Sequence, residues 1–207
     1  MPKSDLKKEL KQFFTASAKK PALVDVPKLK YLMIDGSGDP NGIPGLPPAM
    51  EAMYSVAYTL KFALKLGPQK LDWTVMPPEG LWWTEDGSPF DEKNKAAWRW
   101  TLIMVVPDFV TAATLRHAIK TVKEKKGLAR ADDVRLGSWR EGKAVQMMHI
   151  GPYSETKITV EKLLEFAAEN GCTADGKYHE IYFSDPRRTK PEKLKTLARV
   201  PVKKTAR

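Results

Sequence analysis

Apolar residues follow two spacings along this chain, alternate positions in some stretches and every third or fourth in others, and the two spacings take turns. Lys28 to Asp35 is an apolar and aromatic run that closes at Gly36-Ser37-Gly38-Asp39-Pro40, which predicts a strand and a turn. From Pro48 to Leu66 the period is helical: Met53, Ala57, Leu60 and Leu64 share one face, with Tyr54, Tyr58 and Phe62 beside it, and Gly67-Pro68 ends the helix. Leu71 to Met76 predicts a strand closed by Pro77-Pro78. Trp98 to Val106 alternates most clearly, placing Trp98, Trp100, Leu102 and Met104 on one face. Thr111 can cap a following helix that runs into Lys123, Lys125 and Lys126 and stops at Gly127.

Two further strands are expected, Val134 to Trp139 and Lys143 to Ile150, joined as a hairpin at Glu141-Gly142. The second closes at Gly151-Pro152-Tyr153. A helix containing Val160, Leu163, Leu164, Phe166 and Ala167 follows and stops at Asn170-Gly171. Tyr178 to Ser184 predicts a strand, and Arg199-Val200-Pro201-Val202 a final extended piece. Each half thus runs strand, helix, strand, strand. The fold class expected is α+β, a tandem of such modules with a cleft at their junction. As one domain, the chain would divide into an amphipathic lead (1–20), a first module with a linking helix (21–130) and a second module (131–207).

Composition narrows the function classes. The 207 residues carry 35 Lys and Arg against 25 Asp and Glu, a formal charge of +10. Residues 1–30 hold eight basic and three acidic groups and residues 186–207 nine and one, which leaves 31–185 slightly acidic. Because the positive charge belongs to the ends, a polyanion partner is disfavoured. With 42% hydrophobic residues the chain can build a substantial core. The charged start lacks the apolar core of a secretory signal, and no run reaches the roughly 18 apolar residues of a spanning helix. A single cysteine, Cys172, excludes an internal disulfide and a cysteine-rich zinc site. The expectation is a cytoplasmic protein, monomeric or weakly dimeric, with no membrane contact.

Several chemistries find no support. His117, His149 and His179 are scattered, so no metal is expected. The glycines at 36, 38 and 42 miss the dinucleotide fingerprint, no phosphate-binding GxxxxGK[ST] loop occurs, and Ser37 lacks the spacing of a nucleophile elbow. No cofactor is expected either. What stands out is aromatic: Tyr54 and Tyr58 one turn apart, Trp82-Trp83, Trp98, Trp100, Tyr153, and Tyr182 two residues after Glu180. A carboxylate in Tyr178-His179-Glu180-Ile181-Tyr182-Phe183 is costly unless paired or used. Aromatic faces with one carboxylate suit a flat, bulky, hydrophobic or cationic small molecule. Trp98 and Trp100 on a strand also read as core residues, and Tyr54 and Tyr58 on a helix as core or rim. His149 is open to two readings, a core histidine with satisfied nitrogens or a donor in the cleft.

These segments, in order, resemble one family. Tyr31 to Pro40, Tyr54 to Lys61, Pro78 to Trp83, Trp98 to Thr101, His149 to Tyr153 and His179 to Arg188 are similar to the GyrI-like small-molecule-binding family, most closely its stand-alone branch of about 200 residues. The resemblance implies tandem strand-helix-strand-strand (SHS2-type) modules with pseudo-two-fold symmetry and a central ligand cleft. Relatives include effector-binding domains of multidrug-responsive bacterial activators, in which a glutamate amid aromatic rings receives lipophilic cations, and Glu180 matches that glutamate. No helix-turn-helix segment precedes the module here, which disfavours a DNA-binding activator. Some stand-alone members are cyclopropanoid cyclopropyl hydrolases, which open the strained ring of DNA-alkylating natural products. The resemblance thereby implies Glu180 as base, Tyr153 as donor to the conjugated carbonyl, and Tyr54, Tyr58, Trp82, Trp83, Trp100 and Tyr182 as stacking walls; His149, on its cleft-donor reading, would be a further ligand contact. The alternative is a multidrug-binding or sequestering module without turnover.

Overall fold

The two spacings become four helices and seven strands in the computed structural model, which describes residues 4–205 except 41, 43, 44 and 88–92. The helices are α1 (Leu6–Glu9), α2 (Leu46–Leu66), α3 (Ala112–Lys126) and α4 (Thr156–Glu169). The strands are β1 (Ala22–Ser37), β2 (Glu79–Thr84), β3 (Trp98–Val105), β4 (Arg135–Ile150), β5 (Cys172–Ala174), β6 (Tyr178–Tyr182) and β7 (Lys195–Lys204). They make two compact units, one of Met1–Glu9, Leu29–Pro78 and Trp82–Trp139, the other of Leu10–Lys28, Glu79–Leu81 and Arg140–Arg207. β1, β2 and β4 each contribute residues to both. The class is α+β, with β1-α2-β2-β3 in the first unit and β4-α4-β6-β7 in the second.

In the first unit the hydrogen-bonded order is β4-β1-β3-β2. β1 and β3 are antiparallel, with Leu32 opposite Met104, Ile34 opposite Leu102 and Gly36 opposite Trp100. These pairs share a face, so the predicted alternation of Trp100, Leu102 and Met104 holds. Both faces of β3 are buried, since Thr101, Ile103 and Val105 are enclosed as well. Gly36 has no side chain where the Trp100 ring lies, and a Cβ there would overlap that ring. α2 begins after Gly45 with prolines in its first turn and buries Met53, Val56, Ala57 and Leu60. It packs on α3, whose start is a reciprocal cap: Thr114 N donates to Thr111 Oγ1 and Thr111 N to Thr114 Oγ1. Gly127 ends α3 at φ 65°.

One expected strand does not form here. Leu71–Met76 is irregular apart from a single bridge between Ser4 and Trp73. α2 supplies the reason, because Lys61 and Lys65 hold the Asp72 carboxylate at 2.8 and 3.1 Å and Lys61 also takes the Trp73 carbonyl. Side chains of the helix satisfy polar groups that a sheet partner would otherwise need to meet.

In the second unit the order is β2-β6-β7-β5, with β4 beside β7. β7 is therefore an inner strand of ten residues, not a short terminal piece. It is antiparallel to β4 (Val145 opposite Val200, Met147 opposite Ala198) and to β6 (Glu180 opposite Ala198). α4 covers one face: Leu163 and Ala167 pack on Val145, Met147, Ala198, Val200 and Val202, with Tyr178 against the same cluster. The hairpin expected at Glu141-Gly142 is absent, and β4 runs unbroken for 16 residues. Gly142 does take a left-handed φ of 76°, but the strand continues through it. Among the described residues, no helix is long and apolar enough to cross a membrane.

Candidate functional site

β6 sorts its side chains by parity. Tyr178, Glu180 and Tyr182 fall on the face that α4 covers, while His179 and Ile181 fall on the other. Glu180 is 8% exposed and accepts a hydrogen bond on each carboxylate oxygen, from Tyr178 Oη at 3.0 Å and from Tyr182 Oη at 2.9 Å. Burial pushes its pKa above the ordinary carboxylate value, while the two tyrosine hydroxyls and the neighbouring His179 charge pull the other way without cancelling it. The result is a carboxylate that is oriented by two donors yet holds a proton more readily than usual. Tyr153 stands in the 3-10 turn that leads into α4 and meets Tyr182 edge to face, with ring centroids 5.7 Å apart. Burial, then the negative charges of Glu180 and Asp185, raises the Tyr153 hydroxyl pKa, so it stays a proton donor.

The next rung of the same face holds His149 on β4, Thr196 on β7 and Tyr182 on β6, since Thr196 lies opposite both of the others. His149 Nδ1 is 2.8 Å from Thr159 Oγ1 on α4, and Nε2 is 3.2 Å from the Pro152 carbonyl. A carbonyl only accepts, so Nε2 carries the proton and Nδ1 accepts from Thr159. Both nitrogens are thus engaged in tying β4, the Gly151-Pro152 turn and α4 together. Tyr153 follows directly from that turn. Thr196 is fully buried, and its hydroxyl has no hydrogen-bond partner among the described residues.

The opposite face carries a polar network. His179 Nδ1 lies 3.0 Å from Glu141 Oε1 and Nε2 3.0 Å from Glu79 Oε2, while Arg199 donates to Glu141 Oε2 at 2.7 Å and to Gln146 Oε1 at 2.9 and 3.0 Å. Arg199 also donates to the Phe13 carbonyl, and Gln146 to the carbonyls of Gln12 and Thr15. Burial alone would depress the His179 pKa, but Glu141 and then Glu79 outweigh it and raise it to about 9. Burial would likewise raise that of Glu141, yet His179 and Arg199 hold it below the usual value.

In the first unit, Trp82 and Trp100 are buried and tilted at 6.5 Å, while Trp83, the next residue on β2, is half-buried on the other face. Tyr54 and Tyr58 stack at 6.3 Å along α2, and Tyr58 stacks in turn on Phe62. Tyr54 is half-buried and Tyr58 exposed.

A family model for the GyrI-like small-molecule-binding domain matches residues 19–203. The chain belongs to the GyrI-like family. This GyrI-like chain is similar to an uncharacterized conserved protein from Listeria innocua, with 42% identity over 97% of this chain and 100% of that one and a TM-score of 0.88. Two Listeria innocua proteins described as hydrolases are similar as well. One has 41% identity over 98% and 100% of the two chains at a TM-score of 0.86, the other 39% over 97% and 100% at 0.84. No match was found among curated proteins.

Of the residues singled out in the sequence of this GyrI-like chain, the second unit brings together Glu180, Tyr153 and Tyr182, with His149 one rung away. Tyr178 and Thr196 join them and were missed. Tyr178 was legible, being the same two residues from Glu180 as Tyr182. Thr196 was not, because only the β6–β7 register reveals it.

Proposed function

We propose that this GyrI-like chain binds a bulky, planar, hydrophobic or cationic small molecule and hydrolyses it, with Glu180 as the general base. The observation that carries the reading is the buried Glu180 carboxylate, held between two tyrosine hydroxyls and raised in pKa by burial. A base works best when its pKa approaches the operating pH, and such a group contributes roughly 10²- to 10⁴-fold to a rate. The description of two similar Listeria proteins as hydrolases supports turnover.

The substrate class that fits is a cyclopropane fused to a conjugated ketone, as in DNA-alkylating genotoxins. Water oxygen bonds to the ring carbon as Glu180 takes the water proton. The ring C–C bond breaks, and its electron pair passes through the conjugated system onto the carbonyl oxygen. Tyr153 protonates that oxygen to the phenol and is reprotonated from Glu180 through solvent. Ring strain supplies much of the driving force, so one base and one donor are enough. Tyr182 offers the ring face beside the base.

The test is incubation with a cyclopropane-fused conjugated ketone and mass spectrometry of the product. A gain of one water, lost in Glu180→Gln, is expected. Turnover undiminished in that variant would overturn Glu180 as base. Saturable, Glu180-dependent binding of an aromatic cationic dye without any turnover would instead favour a sequestering module.

A further inference from the structure

Thr196 is the one buried hydroxyl on the Glu180 face that has no hydrogen-bond partner among the described residues. Its position is fixed by two registers. It lies opposite Tyr182 on β6 and opposite His149 on β4, which makes it the diagonal neighbour of Glu180. Both flanking side chains are committed elsewhere, His149 to Thr159 and Pro152 and the Tyr182 hydroxyl to Glu180. Ala198, directly opposite Glu180, adds only a methyl group to this part of the sheet. Leaving a fully buried hydroxyl unpaired is costly, and a polar group that completes it is the ordinary remedy.

We propose that Thr196 and Glu180 together hold the water that the reaction consumes. This rests on the hydrolytic reading above. Each Glu180 oxygen already accepts from a tyrosine but keeps a second lone-pair site, so it can also accept from water. Diagonal neighbours on one sheet face lie roughly 7 to 8 Å apart, within reach of a long side chain. The water donates one hydrogen to Glu180 and the other to Thr196 Oγ1, which leaves an oxygen lone pair free toward the ligand. On attack the first proton passes to Glu180, the oxygen bonds to the ring carbon, and the ring electron pair leaves toward the carbonyl. Thr196 exchanges no proton. It positions the nucleophile, and no residue adjacent in sequence to Glu180 could do so from this face.

The experiment has two arms on the full chain. In a crystal structure at about 1.5 Å, an ordered water is expected within hydrogen-bond reach of both Thr196 Oγ1 and a Glu180 oxygen, and is lost in Thr196→Val. A Thr196 hydroxyl with no water, or with one that does not reach Glu180, would overturn the proposal. In turnover of the cyclopropane-fused ketone, Thr196→Val is expected to lower kcat about 100-fold with KM unchanged, and Thr196→Ser to recover most of it. A Thr196→Val enzyme with wild-type kcat, or one whose loss lies entirely in KM, would sink the positioning role. Should the wild-type chain bind the ketone without turning it over, the hydrolytic reading fails by itself, while the crystallographic arm still decides whether the water is there.

Discussion

His179 and Arg199 stand opposite each other across the β6–β7 pair and divide the Glu141 carboxylate between them, one oxygen each. Glu79 closes the other side of the imidazole. Two cationic and two anionic side chains, all at most 2% exposed, thereby balance inside the second unit. The cluster backs the strand that carries Glu180 on its other face, so the base is mounted on a backbone fixed by its neighbour.

Removing the shared acceptor should be severe. In Glu141→Gln the His179 and Arg199 cations lose their common counter-charge in a buried setting, where breaking such a pair costs roughly 3 to 5 kcal/mol. Urea unfolding followed by tryptophan fluorescence would measure it. A loss below about 1 kcal/mol would mean that the carboxylate is not needed to neutralise the pair.

Stability should also fall at alkaline pH. The His179 pKa rises from 6.5 to about 9 on folding, so the folded chain keeps a proton that the unfolded chain releases. The contribution is complete below about pH 6.5 and is lost as pH climbs through about 9. At about 1.4 kcal/mol per unit, it is on the order of 3 kcal/mol. Urea midpoints collected from pH 6 to 10 for the wild type and for His179→Gln would show it as a difference that shrinks across this window. A difference independent of pH would contradict a charged imidazole.

Glu180 works in the opposite sense. Its pKa is raised on folding, so its ionisation costs stability, beginning as pH rises above the unfolded value of 4.5 and levelling off once pH passes the folded value. Glu180→Gln keeps an acceptor for one tyrosine and offers a donor to the other, but carries no charge to bury. This variant should melt higher than the wild type at pH 7 and equal to it or lower at pH 4, by differential scanning calorimetry. A lower melting temperature at pH 7 would show that the tyrosine pair more than compensates for desolvation. A stabilised, inactive Glu180→Gln is the pattern expected of a group kept for function at the expense of stability.

Local signals were legible where one element determined them. The alternation of Trp100, Leu102 and Met104, the Thr111 cap and the Gly127 stop all depend on neighbours in sequence, and the structure follows them. Glu180 was legible for the same reason, as a carboxylate with aromatic residues two positions away. The misread segments are those whose partners are distant. Gly142 suits a hairpin turn, and only the pairing with β7, some 50 residues later, shows a strand that continues. The Leu71–Met76 pattern loses to Lys61 and Lys65 on α2. The ionic cluster was invisible because its contacts span 38, 58 and 100 residues. β7 was underestimated because Pro201 disguises an inner strand, although Arg199 between Ala198 and Val200 already marked a buried cation in need of a partner.

Gly36 gives a test of packing that is independent of the charged cluster. It lies opposite Trp100, and the fully buried indole occupies the space where a Cβ would go. The ring is rigid and enclosed, so Gly36→Ala must shift either the indole or β1, a kind of overpacking that costs roughly 1 to 3 kcal/mol. Trp100→Phe vacates that space. It also gives up no hydrogen bond among the described residues, because Trp100 Nε1 is buried there without an acceptor. The double variant Gly36→Ala/Trp100→Phe should therefore be more stable than the two single losses predict, by a coupling of about 1 kcal/mol. Thermal unfolding of the four proteins measures that coupling. Strictly additive losses would mean that β1 yields instead of the ring.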